Sequence, residues 1–217
     1  MRGTWLLASI GFSILAGTLP LTAADAPQPP VVYWASSPVQ PGETVLATGS
    51  GLKDVQKIEV VRLPDGPAGE PPQETAPAWP GNGREVKAIQ PDEISIKFTI
   101  PDDMEAGMYA FRVSNAVEAG ASRTPRRWWS RTILLNRPTP LWLQGDQGET
   151  ASPGGWIRIL GYCLASKSDA TTVQLEGMPP VKAKEANPYS LLVELPKDMK
   201  EGEYRVRVHT GVGGNAG

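Results

Sequence analysis

Apolar and polar residues alternate with a period of two along much of the chain. The segment 94–100 shows this most clearly, because its even-numbered positions are all apolar: Ile94, Ile96, Phe98 and Ile100. Such alternation is typical of a β-strand with one buried face. No segment in the first half of the chain carries a convincing 3.6-residue stripe, so the pattern predicts an all-β fold.

Further strands are predicted from the same alternation or from short apolar runs. They fall at 31–34, 44–48, 57–63, 109–113 and 132–135. Pro-Gly pairs at 41–42 and 153–154 predict tight turns, because Pro presets φ and Gly accepts positive φ. Pro101 and Pro196 are expected to end strands, since Pro has no N–H for the ladder. Short strands separated by such turns favour an antiparallel β-sandwich.

The strand pattern occurs twice. Segment 41–52 resembles segment 153–164 at a constant offset of 112 residues, and segment 94–109 resembles segment 189–204 at an offset of 95. Two anchor blocks in fixed register indicate an internal repeat, which governs the predicted fold. The first copy is longer, and its excess lies in a Pro- and Gly-rich insert at 64–83, a predicted surface loop that carries Trp79.

The first residues have the features of a secretory signal peptide. Arg2 is followed by an uncharged, mostly apolar run at 4–19 and by the small residues Thr22-Ala23-Ala24. The apolar run is shorter than the roughly 20 residues that a membrane-spanning helix needs. We therefore predict cleavage after Ala23 or Ala24 and export to the periplasm, the extracellular space or the cell surface, with no membrane span after cleavage.

These observations divide the chain into four parts. They are a signal peptide (1–24), a linker (25–30), a first module (31–137) with the insert 64–83, and a second module (138–217). The predicted fold class is all-β, with two tandem immunoglobulin-like antiparallel β-sandwiches. The first module ends on the strand predicted at 132–135. The second has only Gly-rich sequence after Val208, so we expect it to lack its last strand and the natural protein to be longer.

Several motifs resemble those of IPT/TIG modules, which are immunoglobulin-like units repeated in exported proteins. They are Pro-Gly-Glu-Thr-Val-Leu-Ala-Thr-Gly-Ser-Gly-Leu (41–52), Ile-Glu-Val-Val (58–61), Ile-Ser-Ile-Lys-Phe-Thr-Ile-Pro (94–101) and Gly-Met-Tyr-Ala-Phe-Arg-Val-Ser-Asn (107–115). The second copy resembles such a module as well, with Gly-Tyr-Cys-Leu (161–164) in place of Gly-Ser-Gly-Leu. The resemblance implies the sandwich fold and says little about function.

Two other segments are similar to the N-terminal modules of bacterial carbohydrate-active enzymes, in which a pectate-lyase-type β-helix follows. They are Arg-Pro-Thr-Pro-Leu-Trp-Leu-Gln-Gly-Asp (137–146) and the Gly-rich segment 209–217. This resemblance implies a non-catalytic exported binding or spacer region, with polysaccharide or a C-terminal catalytic domain as its partner. Two alternatives stay open: the front end of a polysaccharide lyase or glycoside hydrolase, or a cell-surface adhesion module.

Charge and rare residues exclude several functions. The formal net charge is −2 and no Lys/Arg cluster stands out, so no nucleic-acid partner is predicted. Cys163 is the only cysteine and His209 the only histidine, which leaves too few ligands for zinc and disfavours a nucleophilic triad. Cys163 is expected to be a small buried residue. Acidic turns at 102–105 and 198–201 raise calcium as an option, but we interpret them as solvated turns and predict no metal or cofactor.

Tryptophan supplies the best candidate for a binding site. Trp128 and Trp129 adjoin Arg127 and Arg131, and neighbouring residues of a strand face opposite sides of a sheet. The outward ring could contact a glycan, whereas packing with Arg stacked on Trp is the favoured interpretation. Trp156, in a predicted strand, is a weaker candidate for sugar contact. Trp34 and Trp142, at matching module starts, are expected in the core or at an interface.

Overall fold

The computed structural model describes residues 28–66, 78–116, 127–166 and 169–217. These parts hold fifteen strands, all paired antiparallel in four sheets, and contain no α-helix but only a 3₁₀ turn, Gly214–Ala216. The all-β prediction is confirmed for them. The predicted signal peptide, residues 25–27 of the linker and residues 67–77 of the insert lie outside the described residues.

The strands follow one another in two similar sets. The first set is β1 (Val31–Ala35), β2 (Thr44–Ser50), β3 (Val55–Arg62), β4 (Arg84–Val86), β5 (Ser95–Thr99), β6 (Tyr109–Ala116), β7 (Arg127–Trp129) and β8 (Ile133–Leu135). The second set is β9 (Thr139–Gly145), β10 (Trp156–Tyr162), β11 (Thr172–Leu175), β12 (Val181–Lys182), β13 (Glu185–Asn187), β14 (Ser190–Glu194) and β15 (Val206–His209). We call residues 31–137 the first repeat and residues 138–217 the second repeat.

Each repeat has two sheets around its own apolar cluster. In the first repeat, sheet β1-β2-β5 and sheet β4-β3-β6-β7, with β8 also on β6, both contribute to one cluster. Phe98 and Phe111 lie in it, fully buried, with ring centroids 4.9 Å apart. In the second repeat, sheets β13-β14-β10-β9 and β12-β11-β15 share a separate cluster that contains Ile159, Leu191 and Val193.

The pairing registers reproduce the two offsets seen in the sequence. Val45 pairs with Phe98. Ile157, which lies 112 residues after Val45, pairs with Val193, which lies 95 residues after Phe98. A side-chain contact repeats too. The Tyr109 hydroxyl donates to the Glu105 carbonyl at 2.9 Å, and the Tyr204 hydroxyl, 95 residues later, donates to the Lys200 carbonyl at the same distance.

In segment 94–100 the alternation identified the buried residues with one exception. Ile96, Phe98 and Ile100 are fully buried, whereas Ile94 is exposed, contrary to the prediction. The physical reason is that β5 begins at Ser95, so the Ile94 side chain lies before the strand and not on its inner face.

The segment after β15 reaches the first repeat. Val212 is buried against Leu63, Met108 and Ala110 of the first repeat, in a small third cluster. The two repeats therefore touch through this tail, while their principal clusters remain separate. A cleft of about 310 Å³ lies beside this contact, between Asn136 of the first repeat and Cys163 of the second.

Cys163 occupies the position that Gly51 has in the first repeat. Both follow a strand and both have positive φ, 53° for Cys163 and 65° for Gly51. The Cys163 thiol is buried, as predicted, and burial raises its pKa, while its sulfur lies 3.5 Å from the Ser37 hydroxyl. A thiol with a raised pKa has little thiolate and is a poor nucleophile.

Candidate functional site

The Trp128-Trp129 pair lies on β7 at the margin of its sheet. Trp128 pairs with Asn115 of β6 and Trp129 pairs with Ser114, so the two rings face opposite sides of the sheet, as the sequence predicts. Trp129 is half-buried, and Trp128 is 40% exposed. The ring that packs and the ring that is accessible are therefore distinct.

Trp129 takes part in a stack of rings around one guanidinium group. Arg112 of β6 lies 3.9 Å from the Trp129 ring centroid and 4.4 Å from that of Trp79. An arginine over aromatic faces is attracted by the ring quadrupole and stabilises their packing. The interpretation of Arg stacked on Trp fits this geometry, but the arginine is Arg112 and not one of the adjacent residues Arg127 or Arg131, which are both exposed.

Glu59 holds this arginine in place. The Glu59 carboxylate accepts hydrogen bonds from Arg112 Nε and Nη2 at 2.9 and 2.6 Å, and Lys57 Nζ lies 2.9 Å from its other oxygen. Burial by itself raises the pKa of the Glu59 carboxyl, but the bonds from Lys57 and Arg112 outweigh it, so the pKa lies below its ordinary value of 4.5. The carboxylate is thus a structural anchor for the ring stack.

This ion pair predicts a specific acid sensitivity. A carboxyl whose pKa is lowered by folding stabilises the protein fully above its unfolded pKa, and that stability is lost as pH falls through the folded value. The free energy of unfolding should therefore decrease below about pH 4.5, and Glu59→Gln should make this decrease shallower. Urea unfolding of the wild type and of Glu59→Gln at a series of pH values measures how steeply the free energy of unfolding falls in each. Parallel curves would contradict the assignment of this acid sensitivity to Glu59.

The structure does not unite all the candidates taken from the sequence. Trp156 is half-buried on β10, opposite Glu194 of β14, in a sheet of the second repeat. Trp128 belongs to the first repeat, in the sheet of β6. The five predicted residues, Arg127, Trp128, Trp129, Arg131 and Trp156, therefore do not share one sheet face.

Trp34 and Trp142, which the sequence places in the core or at an interface, do not lie in the core. Trp34 pairs with Thr48 and Trp142 with Leu160, the equivalent positions of the two repeats, and the two rings are 55% and 64% exposed. A β-bulge lies just before each tryptophan, between Val32 and Trp34 in the first repeat. An extra residue in the strand moves the following side chain to the other face, which puts both rings outside.

Trp142 belongs to a group of exposed apolar side chains on one sheet face, which we call the aromatic patch: Trp142, Leu160, Tyr162 and Tyr189. Leu160 lies beside Trp142, and Tyr162 is two residues further along β10, on the same face. The Tyr162 and Tyr189 rings are 6.4 Å apart in an edge-to-face arrangement. They are 50% and 55% exposed, so three large rings are open to solvent on one sheet face.

Polar groups border the aromatic patch. Arg158 lies on the same face of β10 as Leu160, and its Nη1 donates to the Ser190 hydroxyl at 3.1 Å. Its Nη2 lies 3.5 Å from a Glu185 carboxylate oxygen. Gln144 pairs with Arg158 from β9. The patch therefore combines flat apolar rings with fixed hydrogen-bonding groups, the composition of many ligand sites. Sequence reasoning missed it, because the outward orientation of Trp142 depends on a bulge in the pairing of β9 with β10.

The other candidate residues have structural partners. His209 is buried, its Nε2 bonds the Gly214 carbonyl at 2.8 Å, and its Nδ1 accepts from the Gly211 amide. Of the acidic turn at 102–105, Asp103 pairs with Arg84. Within the four described ranges, no group of three or more His, Cys, Asp or Glu side chains is arranged to hold a metal ion.

One structural finding concerns the possibility of a membrane-spanning helix. Among the residues that the structure describes, no helix is both long and apolar enough to span a bilayer.

Comparisons with known proteins give distant similarity. No family model matches the chain, and no curated protein matches it either. Among solved structures, the chain is similar to the surface glycan-binding protein SGBP-B of a Bacteroides ovatus mixed-linkage glucan utilization locus, in complex with a mixed-linkage heptasaccharide. Identity is 16%, the TM-score is 0.31, and the match covers 86% of this chain. The chain spans 40% of the length of that protein.

Proposed function

We propose that this protein is a non-catalytic, exported binding region that contacts polysaccharide through the aromatic patch. The observation that carries the proposal is the exposure of three large rings, Trp142, Tyr162 and Tyr189, on one face of a paired sheet. Exposing such rings on a soluble surface has an energetic cost, so contiguous apolar patches of this kind often mark interaction sites.

Carbohydrate suits this surface for a chemical reason. The faces of pyranose rings carry C–H groups that pack on flat aromatic side chains, while their edges carry hydroxyls that need hydrogen-bond partners. Arg158 and Gln144 lie on the same face as Trp142 and can supply such partners. A surface with rings alone would favour an apolar partner, so the polar border is what favours a glycan.

We further infer that each pair of sheets is an immunoglobulin-like sandwich of the IPT/TIG type. Both repeats have two antiparallel sheets around one apolar cluster. In both, a tyrosine at the start of a strand (Tyr109) or two residues before it (Tyr204) donates its hydroxyl to a carbonyl four residues earlier, like the tyrosine corner of immunoglobulin domains. Such a scaffold is rigid, so rings presented on its strands need little ordering when a ligand binds.

We place this region at the front of a larger exported carbohydrate-active protein, where it holds polysaccharide near another domain. The signal-peptide pattern at 1–24 supports export. The segment 137–146, which resembles the N-terminal modules of such enzymes, contains Trp142 itself. The resembling sequence thus contributes one of the three rings of the aromatic patch.

Substitution of Trp142 tests the binding function. Affinity electrophoresis of residues 25–217 through gels containing neutral β-glucans, xyloglucan or polygalacturonate should show retardation in at least one gel. Trp142→Ala should weaken that retardation about ten-fold or more, because loss of one stacking ring removes a central contact. Trp142→Phe should keep part of it.

Two further variants make the test specific. Trp34→Ala removes the equivalent exposed ring of the first repeat, where Thr48 and Ser50 stand in place of Leu160 and Tyr162, and should leave retardation unchanged. Trp128→Ala tests the site suggested by the sequence. Migration unaffected by every polysaccharide, or equal loss in Trp34→Ala and Trp142→Ala, would remove the aromatic patch as the binding site.

A further inference from the structure

Trp156 lies on the same sheet face as the aromatic patch. Side chains two residues apart on a strand point to the same side of a sheet, so one face of β10 carries Trp156, Arg158, Leu160 and Tyr162, which we call the β10 row. Tyr162 is 50% exposed and Trp156 is half-buried. At about 3.3 Å per residue, the seven residues of β10 span roughly 20 Å. The β10 row therefore has an aromatic ring at each end.

Polar groups lie in the middle of the β10 row. Arg158 stands between Trp156 and Leu160, and Gln144 of β9 pairs with it. The Arg158 side chain is 36% exposed, and its Nη1 donates to the Ser190 hydroxyl at 3.1 Å. A guanidinium group carries five N–H donors, which is more than its contacts within the sheet use. The face thus offers hydrogen-bond donors between its two aromatic ends.

The charges on this face cancel. Strands β9, β10, β13 and β14 contain one basic residue, Arg158, and two acidic residues, Glu185 and Glu194. Arg158 Nη2 lies 3.5 Å from a Glu185 oxygen, and Lys184, next to β13, bonds Glu194. On these four strands an anionic polymer meets two carboxylates and a guanidinium that already has an acidic partner. The face therefore favours a ligand without charge.

We propose that the glycan-binding face extends along β10 to Trp156 and takes a neutral, extended glycan chain lengthwise. This inference rests on the proposed function, because it starts from the aromatic patch as a glycan site. A β-linked glucose chain is flat and extended, with C–H groups on the faces of its rings and hydroxyls on their edges. Its sugars stack on Trp142 and Tyr162 at one end and on Trp156 at the other, and Arg158 and Gln144 bond the hydroxyls between them.

Chain length tests the extended face. Cellobiose and cellohexaose are the probes, and NMR titration of residues 25–217 measures both affinities and the indole N–H signals. Cellohexaose should bind about ten-fold or more tightly than cellobiose, because only the longer chain reaches both ends of the β10 row. It should shift the indole signals of both Trp142 and Trp156. Equal affinity for the two sugars, or a Trp156 signal that cellohexaose leaves unmoved, would overturn the proposal.

Substitution of Trp156 separates its contact from a general effect on folding. Trp156→Ala should weaken cellohexaose about ten-fold and change cellobiose by less than about two-fold, whereas Trp142→Ala should weaken both. Trp156→Phe keeps an aromatic ring in the packing, and its smaller loss should again be confined to cellohexaose. A Phe variant that binds cellohexaose like the wild type, or loses both sugars equally, would contradict a contact at Trp156.

Charge tests the neutral class independently of length. A galacturonate hexamer should bind the wild type at least about ten-fold more weakly than cellohexaose. Glu185→Gln removes the acidic partner of Arg158, and the Glu185 side chain is 61% exposed, so folding should not change. The variant should bind the galacturonate hexamer about three-fold or more tightly and cellohexaose within about two-fold of the wild type. An unchanged affinity for galacturonate would contradict the role given to this ion pair.

The outcomes distinguish this inference from the proposed function. Retardation by polygalacturonate that Trp142→Ala abolishes, with no binding of cellohexaose, would overturn the neutral extended face and leave the aromatic patch as a glycan site. Absence of binding to every polysaccharide and to both cello-oligosaccharides would remove the two proposals together.

Discussion

Replacement of Phe98 by Ala is expected to lower the free energy of unfolding of the first repeat by about 3–5 kcal/mol. Phe98 and Phe111 are both fully buried and their rings are in tilted contact, with centroids 4.9 Å apart. Truncation removes apolar area and leaves a cavity that the surrounding strands cannot close. Urea unfolding followed by circular dichroism and tryptophan fluorescence measures the loss.

The second repeat provides a matched control at the same register. Val193 pairs with Ile157 as Phe98 pairs with Val45, so Val193→Ala should destabilise the second repeat by about 2–3 kcal/mol and leave the first unchanged. Trp34→Ala, at an exposed position, should alter stability by less than about 0.5 kcal/mol. If Phe98→Ala and Val193→Ala shift one common transition equally, the two clusters do not unfold as separate units.

The faces of the strands show how far the fold could be predicted from the sequence. Alternation identified Ile96 and Phe98 as inner residues because a half-buried strand has a period of two. The offsets of 112 and 95 indicated that the second half repeats the first, and the structure pairs equivalent residues in both repeats. Bulges were not predictable, because they depend on how two strands meet, and a bulge is what turns Trp34 and Trp142 outward.

The candidate site was also predictable only in part, because some of its features follow from strand geometry and others from contacts between distant parts of the chain. The opposite orientation of Trp128 and Trp129 follows from strand geometry, and the structure shows it. The partner of Trp129 did not follow, because Arg112 and Trp79 come from distant parts of the chain and meet only when β6 and the insert fold together. The aromatic patch is likewise non-local, since Tyr189 reaches Tyr162 from the turn before β14.

Asn136→Ala is expected to destabilise the first repeat by about 3 kcal/mol, because one buried side chain satisfies several backbone groups. Asn136 Oδ1 accepts from the Val39 amide at 2.8 Å, and Nδ2 donates to the Val39 and Gly107 carbonyls at 2.7 and 2.8 Å. These bonds join the end of β8 to the loop after β1. Without them the buried backbone groups lose their partners and β8 is held less firmly.

A glycine variant separates the hydrogen bonds from the backbone conformation. Asn136 has φ of 62°, a left-handed value that Ala adopts at a cost and Gly adopts freely. Asn136→Gly should therefore be about 1 kcal/mol more stable than Asn136→Ala in urea unfolding, yet still well below the wild type. Wild-type stability in the glycine variant would show that the hydrogen bonds contribute little.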